Sequence, residues 1–163
     1  MAISIVGVLC LCILLILYYR WVQDDFWEAR KKIVQQVTTV VEFDEVLRAE
    51  RFQDDETLWV ITGIDFDGEE QMAWWDGTDD ELLFVTSPEE GISRKDAQQK
   101  VLSDHPNAKI MRVLPARYEG SWAWEVFYKY PEETNQTRYA YHYYGFEDGK
   151  HLGTLNLAPE KEH

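Results

Sequence analysis

The sequence predicts an α+β chain: an N-terminal transmembrane helix followed by two tandem modules, each a helix followed by an antiparallel sheet. Three observations predict it. Residues Ala2 to Tyr19 carry no charge. Beyond them, a helical pattern followed by β-rich segments occurs twice, with a period of about 65 residues. Asp-Gly and Glu-Gly pairs separate the β-rich segments, as hairpin turns do.

The charge-free run AISIVGVLCLCILLILYY is close to the ~20 residues that cross a hydrocarbon core as a helix. It is apolar all round, without the polar stripe of a surface helix. Tyr18, Tyr19 and Trp21 close it like interfacial aromatics, and Arg20 can snorkel. No basic start or small-residue cleavage site accompanies it. Residues 1–21 are therefore read as an uncleaved anchor, with the lipid bilayer as its partner. Cys10 and Cys12 lie inside this run, read as buried apolar-like thiols. Two cysteines are too few for a disulfide framework or a four-thiolate zinc site. Arg20, Arg30, Lys31 and Lys32 all follow the span, so the positive-inside rule alone puts the rest of the chain in the cytoplasm.

The first module spans residues 22–87. Its helix runs from Asp24 to about Val37, with Phe26, Ile33 and Val37 near one face. The β-branched Thr38–Val41 stretch marks the change to extended chain. Strands follow at Glu45–Phe52, Thr57–Phe66, Glu70–Trp75 and Leu82–Thr86, with turns at Asp67-Gly68 and Asp76-Gly77. Ser87–Gly91 is a short linker.

The second module spans 92–158, and 159–163 is a charged tail. Ser93 caps a helix over Arg94–Asp104, with Asp96 completing a capping box and Ala97 and Val101 facing the core. His105-Pro106-Asn107 ends it. Strands follow at Lys109–Tyr118, Ser121–Tyr130, Arg138–Tyr144 and His151–Leu157. Trp59-Val60-Ile61 corresponds to Trp124-Glu125-Val126, and Met72–Trp75 roughly to Ala140–Tyr143, the signature of an internal duplication.

Three segments carry a family resemblance. They are Glu89-Glu90-Gly91-Ile92-Ser93 leading into the second helix, Trp124-Glu125-Val126-Phe127-Tyr128, and Tyr143-Tyr144-Gly145-Phe146-Glu147-Asp148-Gly149-Lys150. With these the chain resembles the YpmB-type proteins of low-GC Gram-positive bacteria, which carry PepSY-like, cystatin-like domains. The last block is similar to the tyrosine-rich strand and turn that close such modules, with Gly145 where Asp is usual and Asp148 where Thr is usual. The resemblance implies an anchored, extracytoplasmic, non-catalytic domain of the cell envelope, against the topology that charge alone suggests. Related PepSY modules regulate enzymes, including secreted metallopeptidases. The family supplies no catalytic residues.

The residues themselves show no catalytic signature. His105, His142, His151 and His163 have no metal-ligand spacing, although pairing of their strands would bring His142 and His151 together. There is no nucleophile elbow, no phosphate loop and no cysteine beyond the anchor. Asp65-x-Asp67-Gly68 looks like the start of a calcium loop but lacks the glutamate at position twelve, and a hairpin turn explains it better. No cofactor and no metal is expected.

Charge is more informative. The chain has thirty acids against sixteen bases and a net charge of −14, which excludes nucleic acid as the main partner. The acid excess lies before residue 92; after it, acids and bases balance. This describes either a solvated face or a docking face for a basic partner. Trp74, Trp75, Tyr143 and Tyr144 are candidate partner-binding aromatics, because neighbouring rings on a strand point to opposite faces; core packing is the competing account. The preferred function is a non-catalytic, membrane-anchored, extracytoplasmic interaction module that restrains or positions a peptidase or cell-wall hydrolase. The alternatives are an anchored hydrolase working through two carboxylates, or a structural component of an envelope complex.

Overall fold

The computed structural model describes residues 13–15, 18, 27–54, 56–131 and 136–157. It divides the chain into two compact units, residues 1–40 and 41–163.

In the first unit, residues 27–40 form helix α1. Ile33 and Val37, one turn apart, are its buried positions. The helix continues through Thr38 and Thr39, where the sequence predicts extended chain. The Thr38 hydroxyl donates back to the Val34 and Gln35 carbonyls, and that of Thr39 to Gln36, which lets β-branched residues remain helical.

The predicted fold class needs correction. Among the described residues no helix is long and apolar enough to cross a membrane. Apart from 13–15 and 18, the run from Ala2 to Tyr19 lies outside the described residues. Helix α1, which follows the expected span, carries Glu28, Arg30, Lys31 and Lys32 and does not itself suit hydrocarbon. The chain is also mainly β. Two antiparallel four-stranded sheets dominate it, and α1 belongs to a different compact unit from the sheet it was expected to cover.

The first sheet comprises β1 (Glu45–Gln53), β2 (Thr57–Ile64), β3 (Glu70–Asp76) and β4 (Glu81–Thr86), ordered as in the sequence. A 3-10 turn, Pro88–Glu90, leads to α2 (Arg94–Asp104). The second sheet comprises β5 (Lys109–Tyr118), β6 (Ser121–Pro131), β7 (Thr137–Gly145) and β8 (His151–Asn156), again in sequence order. Both sheets are meanders built by local hairpins. Glu119 and Gly120 hold φ of 47° and 80°, the left-handed pair that a two-residue hairpin requires. The β3–β4 turn is longer than the predicted Asp-Gly hairpin. Asp76 Oδ1 accepts the Thr78 and Asp79 amides, and Asp80 takes the positive φ.

The two sheets carry bulges at matching places. One lies between Val46 and Arg48 in β1 and between Ile110 and Arg112 in β5. The other lies where β3 meets β4 at Trp74/Trp75, and where β7 meets β8 at Tyr143/Tyr144. This register aligns Trp59 with Trp124. It also aligns Trp74 with Tyr143, one residue away from the sequence match, and a one-residue slip changes which face a side chain occupies.

One core joins both sheets and α2, with Val60, Trp74, Val101, Trp124, Val126 and Tyr128 at its centre. Trp74 packs among Phe84, Trp122 and Phe146 at ring-centroid distances of 5.3–5.4 Å. The α2 capping box forms as predicted: the Ser93 hydroxyl accepts the Asp96 amide, and the Asp96 carboxylate accepts the Ser93 amide. Arg94, at the start of α2, pairs with Glu50 of β1 and donates to the Val113 carbonyl of β5.

Candidate functional site

The four aromatics singled out in the sequence are all buried and form no surface shelf. Trp74 sits in the core. Trp75 Nε1 donates to Asp80 Oδ1 at 3.3 Å. The Tyr143 hydroxyl donates to Glu125 Oε2 at 3.1 Å, and burial followed by the Glu125 charge pushes its pKa up. The Tyr144 hydroxyl meets His142 Nδ1 at 3.1 Å, and burial pushes its pKa up to about 12. Adjacent positions of a strand do point to opposite faces, but both faces of β2, β3, β6 and β7 carry buried positions.

The histidines gather more closely than their sequence spacing suggests. His142 on β7 and His151 on β8 have ring centroids 5.0 Å apart, and His105, beyond the end of α2, lies 5.9 Å from His142. His142 is buried between two phenols, with Tyr128 Oη 3.0 Å from Nε2 and Tyr144 Oη on Nδ1. A neutral imidazole fits, with one nitrogen donating and the other accepting. Burial, then the neighbouring His151 and His105, lower its pKa to about 4. Among the described residues no group of three metal-ligating side chains has the geometry to hold an ion. His163 lies outside the described residues.

Glu125 is the one buried carboxylate among the described residues. Both its oxygens are occupied, Oε1 by Arg112 at 3.0 Å and Oε2 by Tyr143. The calcium-like segment is also accounted for by its own turn. Asp65 Oδ1 accepts the Asp67 and Glu69 amides, each at 2.9 Å, and Oδ2 accepts from Gln71.

A concavity lies between the β1–β2 turn and the β5–β6 hairpin. It is a cleft of about 240 Å³. Phe52, Leu58 and Leu83 form its apolar floor, and Asp54, Glu56, Asp76 and Glu119 stand around it. Arg117 is the one base in the lining, and its Nη1 donates to Glu56 Oε2 at 2.9 Å. The guanidinium also lies over the Trp122 ring, 5.0 Å from its centroid. The cleft thus offers four carboxylates to one guanidinium that is already paired. The acid excess before residue 92 was legible as charge, but the sequence did not show that Glu119, from the balanced second half, completes the ring.

A meander of four strands, a short helix and a second meander, sharing one core, is a specific arrangement. The fold is that of the YpmB protein from Bacillus subtilis. The two share 24% sequence identity, with 78% of this chain and 97% of YpmB covered and a TM-score of 0.63. At that identity the likeness concerns the fold alone. No protein-family model matches the sequence, and no curated protein matches it.

Proposed function

We propose that the protein is a non-catalytic interaction module that binds a basic partner protein at the acidic cleft. The observation that carries this reading is the lining of the cleft, with an apolar floor under four carboxylates and a single paired arginine. A lysine or arginine side chain suits such a site. Its methylene stem lies on Phe52, Leu58 and Leu83 while its charge meets the carboxylates. With its YpmB-like fold, the chain is read as a pair of PepSY-like modules, and the partner as a hydrolytic enzyme, a peptidase or wall hydrolase, that is restrained or positioned. The competing hydrolase reading needs a carboxylate pair held apart in pKa within a cleft. Glu125, the buried candidate, is engaged by Arg112 and Tyr143 instead.

The test is affinity capture by the full-length chain, with a quadruple variant Asp54→Asn, Glu56→Gln, Asp76→Asn, Glu119→Gln as control. The expected result is a basic protein retained at low salt by the wild type and released by the variant or by high salt. A partner held equally by both proteins, or turnover of peptide or glycan by the chain itself, overturns the reading.

A further inference from the structure

The four edge strands are not equally protected. β1 and β5 lie in contact with one another, which leaves β4 and β8 as the outer edges. Edges are commonly blunted by charge or proline. β1 carries Glu45, Arg48, Glu50 and Arg51, and β5 carries Lys109, Arg112, Pro115 and Arg117. β4 starts at Glu81, directly after Asp79 and Asp80. β8 reads His-Leu-Gly-Thr-Leu-Asn, without an acid, a lysine, an arginine or a proline.

The register shows which main-chain groups this edge presents. The Leu157 amide donates to the Tyr139 carbonyl at 2.9 Å, so those two residues face each other as a hydrogen-bonded pair. Two residues at a time along the ladder, Leu155 with Tyr141 and Gly153 with Tyr143 are hydrogen-bonded pairs as well. Thr154 and Asn156 occupy the alternate positions, opposite His142 and Ala140, where N–H and C=O point away from β7. Leu155 is 53% exposed beside them. At the end of the edge a cavity of about 230 Å³ opens between Tyr130, Arg138, Tyr139, Asn156 and Leu157.

We propose that β8 receives an extended, uncharged segment of a partner protein by strand addition, with the outward amides and carbonyls of Thr154 and Asn156 forming the new ladder. Main-chain pairing supplies affinity, and the end cavity admits one side chain of the segment. Tyr130 and Asn156 make that cavity suited to a polar side chain. A second copy of the chain is the less suitable occupant, because each copy carries a net charge of −14. The inference deepens the reading as a non-catalytic module and rests on it. It adds a second contact remote in sequence from the acidic cleft.

The test uses the full-length chain with a capped Thr-Val-Thr-Val-Thr-Val peptide as probe, read by residue-resolved amide hydrogen exchange. The peptide should slow exchange at Thr154 and Asn156 by about tenfold or more, with smaller changes at Gly153 and Leu155. Thr154→Pro removes an amide that the β7–β8 ladder does not use, so the variant should fold and lose protection at Asn156. Leu155→Lys, which adds a charge to the edge and removes no main-chain group, should weaken the same protection. The cleft variant should retain it. Absence of protection at millimolar peptide overturns the proposal, as does equal protection in both β8 variants. Sedimentation of the peptide-free chain as a dimer that both β8 variants dissolve also overturns it, in favour of a second copy. An intact but unbound peptide removes strand addition alone, whereas cleavage of the peptide by the chain removes the non-catalytic reading.

Discussion

The Tyr118 ring stacks on Tyr143 with centroids 4.4 Å apart and planes 23° from parallel. Tyr118 belongs to the first strand of its sheet and Tyr143 to the third, so the stack reaches across β6. Its hydroxyl ends over Gly153 of β8, where a Cβ would collide with it. One side chain thus spans all four strands. Gly153→Ala should push the Tyr118 hydroxyl away and loosen β8, costing about 1–3 kcal/mol, as overpacking does. Urea unfolding measures it, and Tyr118→Phe combined with Gly153→Ala should recover part of the loss. An unchanged midpoint in the single variant would show that the phenol swings aside freely.

The His142 site makes stability depend on pH. Its pKa is lowered to about 4 in the fold, from an ordinary value of 6.5. Between those values the unfolded chain binds the proton and the folded chain does not, so stability rises with pH through this window. The contribution is complete above about 6.5 and is lost as pH falls through 4. The gap corresponds to about 3 kcal/mol as an upper bound. The groups around the imidazole are the hydroxyls of Tyr128 and Tyr144, the rings of His151 and His105, and Asp104, whose charge opposes the lowering. Comparing wild type with His142→Gln by thermal denaturation from pH 4 to pH 7 isolates it. The wild type should lose more stability than the variant on acidification. Parallel curves would contradict the assignment.

Arg94 connects three elements. It pairs with Glu50 on β1, donates to the Val113 carbonyl on β5, and lies over the Trp124 ring, 5.2 Å from its centroid. Its side chain is one-third exposed and that of Glu50 is 16% exposed, so solvent screens the pair in part. Arg94→Ala should cost about 2 kcal/mol, and Arg94→Lys should recover only a fraction of it, because an ammonium lacks the planar fork that reaches two acceptors. Chemical denaturation of both variants checks this, and a Lys variant as stable as the wild type would show that charge alone matters.

Much of the strand pattern was legible in the sequence for a physical reason. Trp122, Trp124, Val126 and Tyr128 alternate with Ser121, Ala123, Glu125 and Phe127, and a period of two is what a pleated strand imposes on its side chains. Helix α2 was legible from Ser93 and Asp96, whose side chains satisfy the first amides of the helix. Thr38 and Thr39 misled because propensity favours strand there, while their hydroxyls bond back to the preceding helical turn. The apolar run from Ala2 to Tyr19 lies, apart from residues 13–15 and 18, outside the described residues, where no helix is long and apolar enough to cross a membrane. The candidate aromatics misled because a sheet buried on both faces leaves no outward side. The cleft was legible only as an excess of acid, since its shape depends on how two hairpins meet.

Trp74 tests whether both sheets unfold together. Its ring is fully buried and touches Phe84 of the first sheet and Trp122 of the second, with Phe146 beside them. A core shared in this way predicts a single cooperative calorimetric transition for the two-sheet unit. Trp74→Ala should lower its stability by about 3–5 kcal/mol and shift the whole peak, without splitting off a component. The indole also carries a cost, because its Nε1 is buried with no hydrogen-bond partner among the described residues. An unsatisfied donor costs about 1–3 kcal/mol. Trp74→Phe removes that donor while keeping an aromatic ring among Phe84, Trp122 and Phe146, so loss of volume and relief of the unpaired N–H oppose each other. The Phe variant should lie within about 1 kcal/mol of wild type, far from the Ala variant. A Phe variant as damaged as the Ala variant would show that the indole nitrogen is bonded in solution. Two resolved transitions in the wild type would show that the sheets are energetically separate, with the aromatic cluster a contact surface rather than a common core.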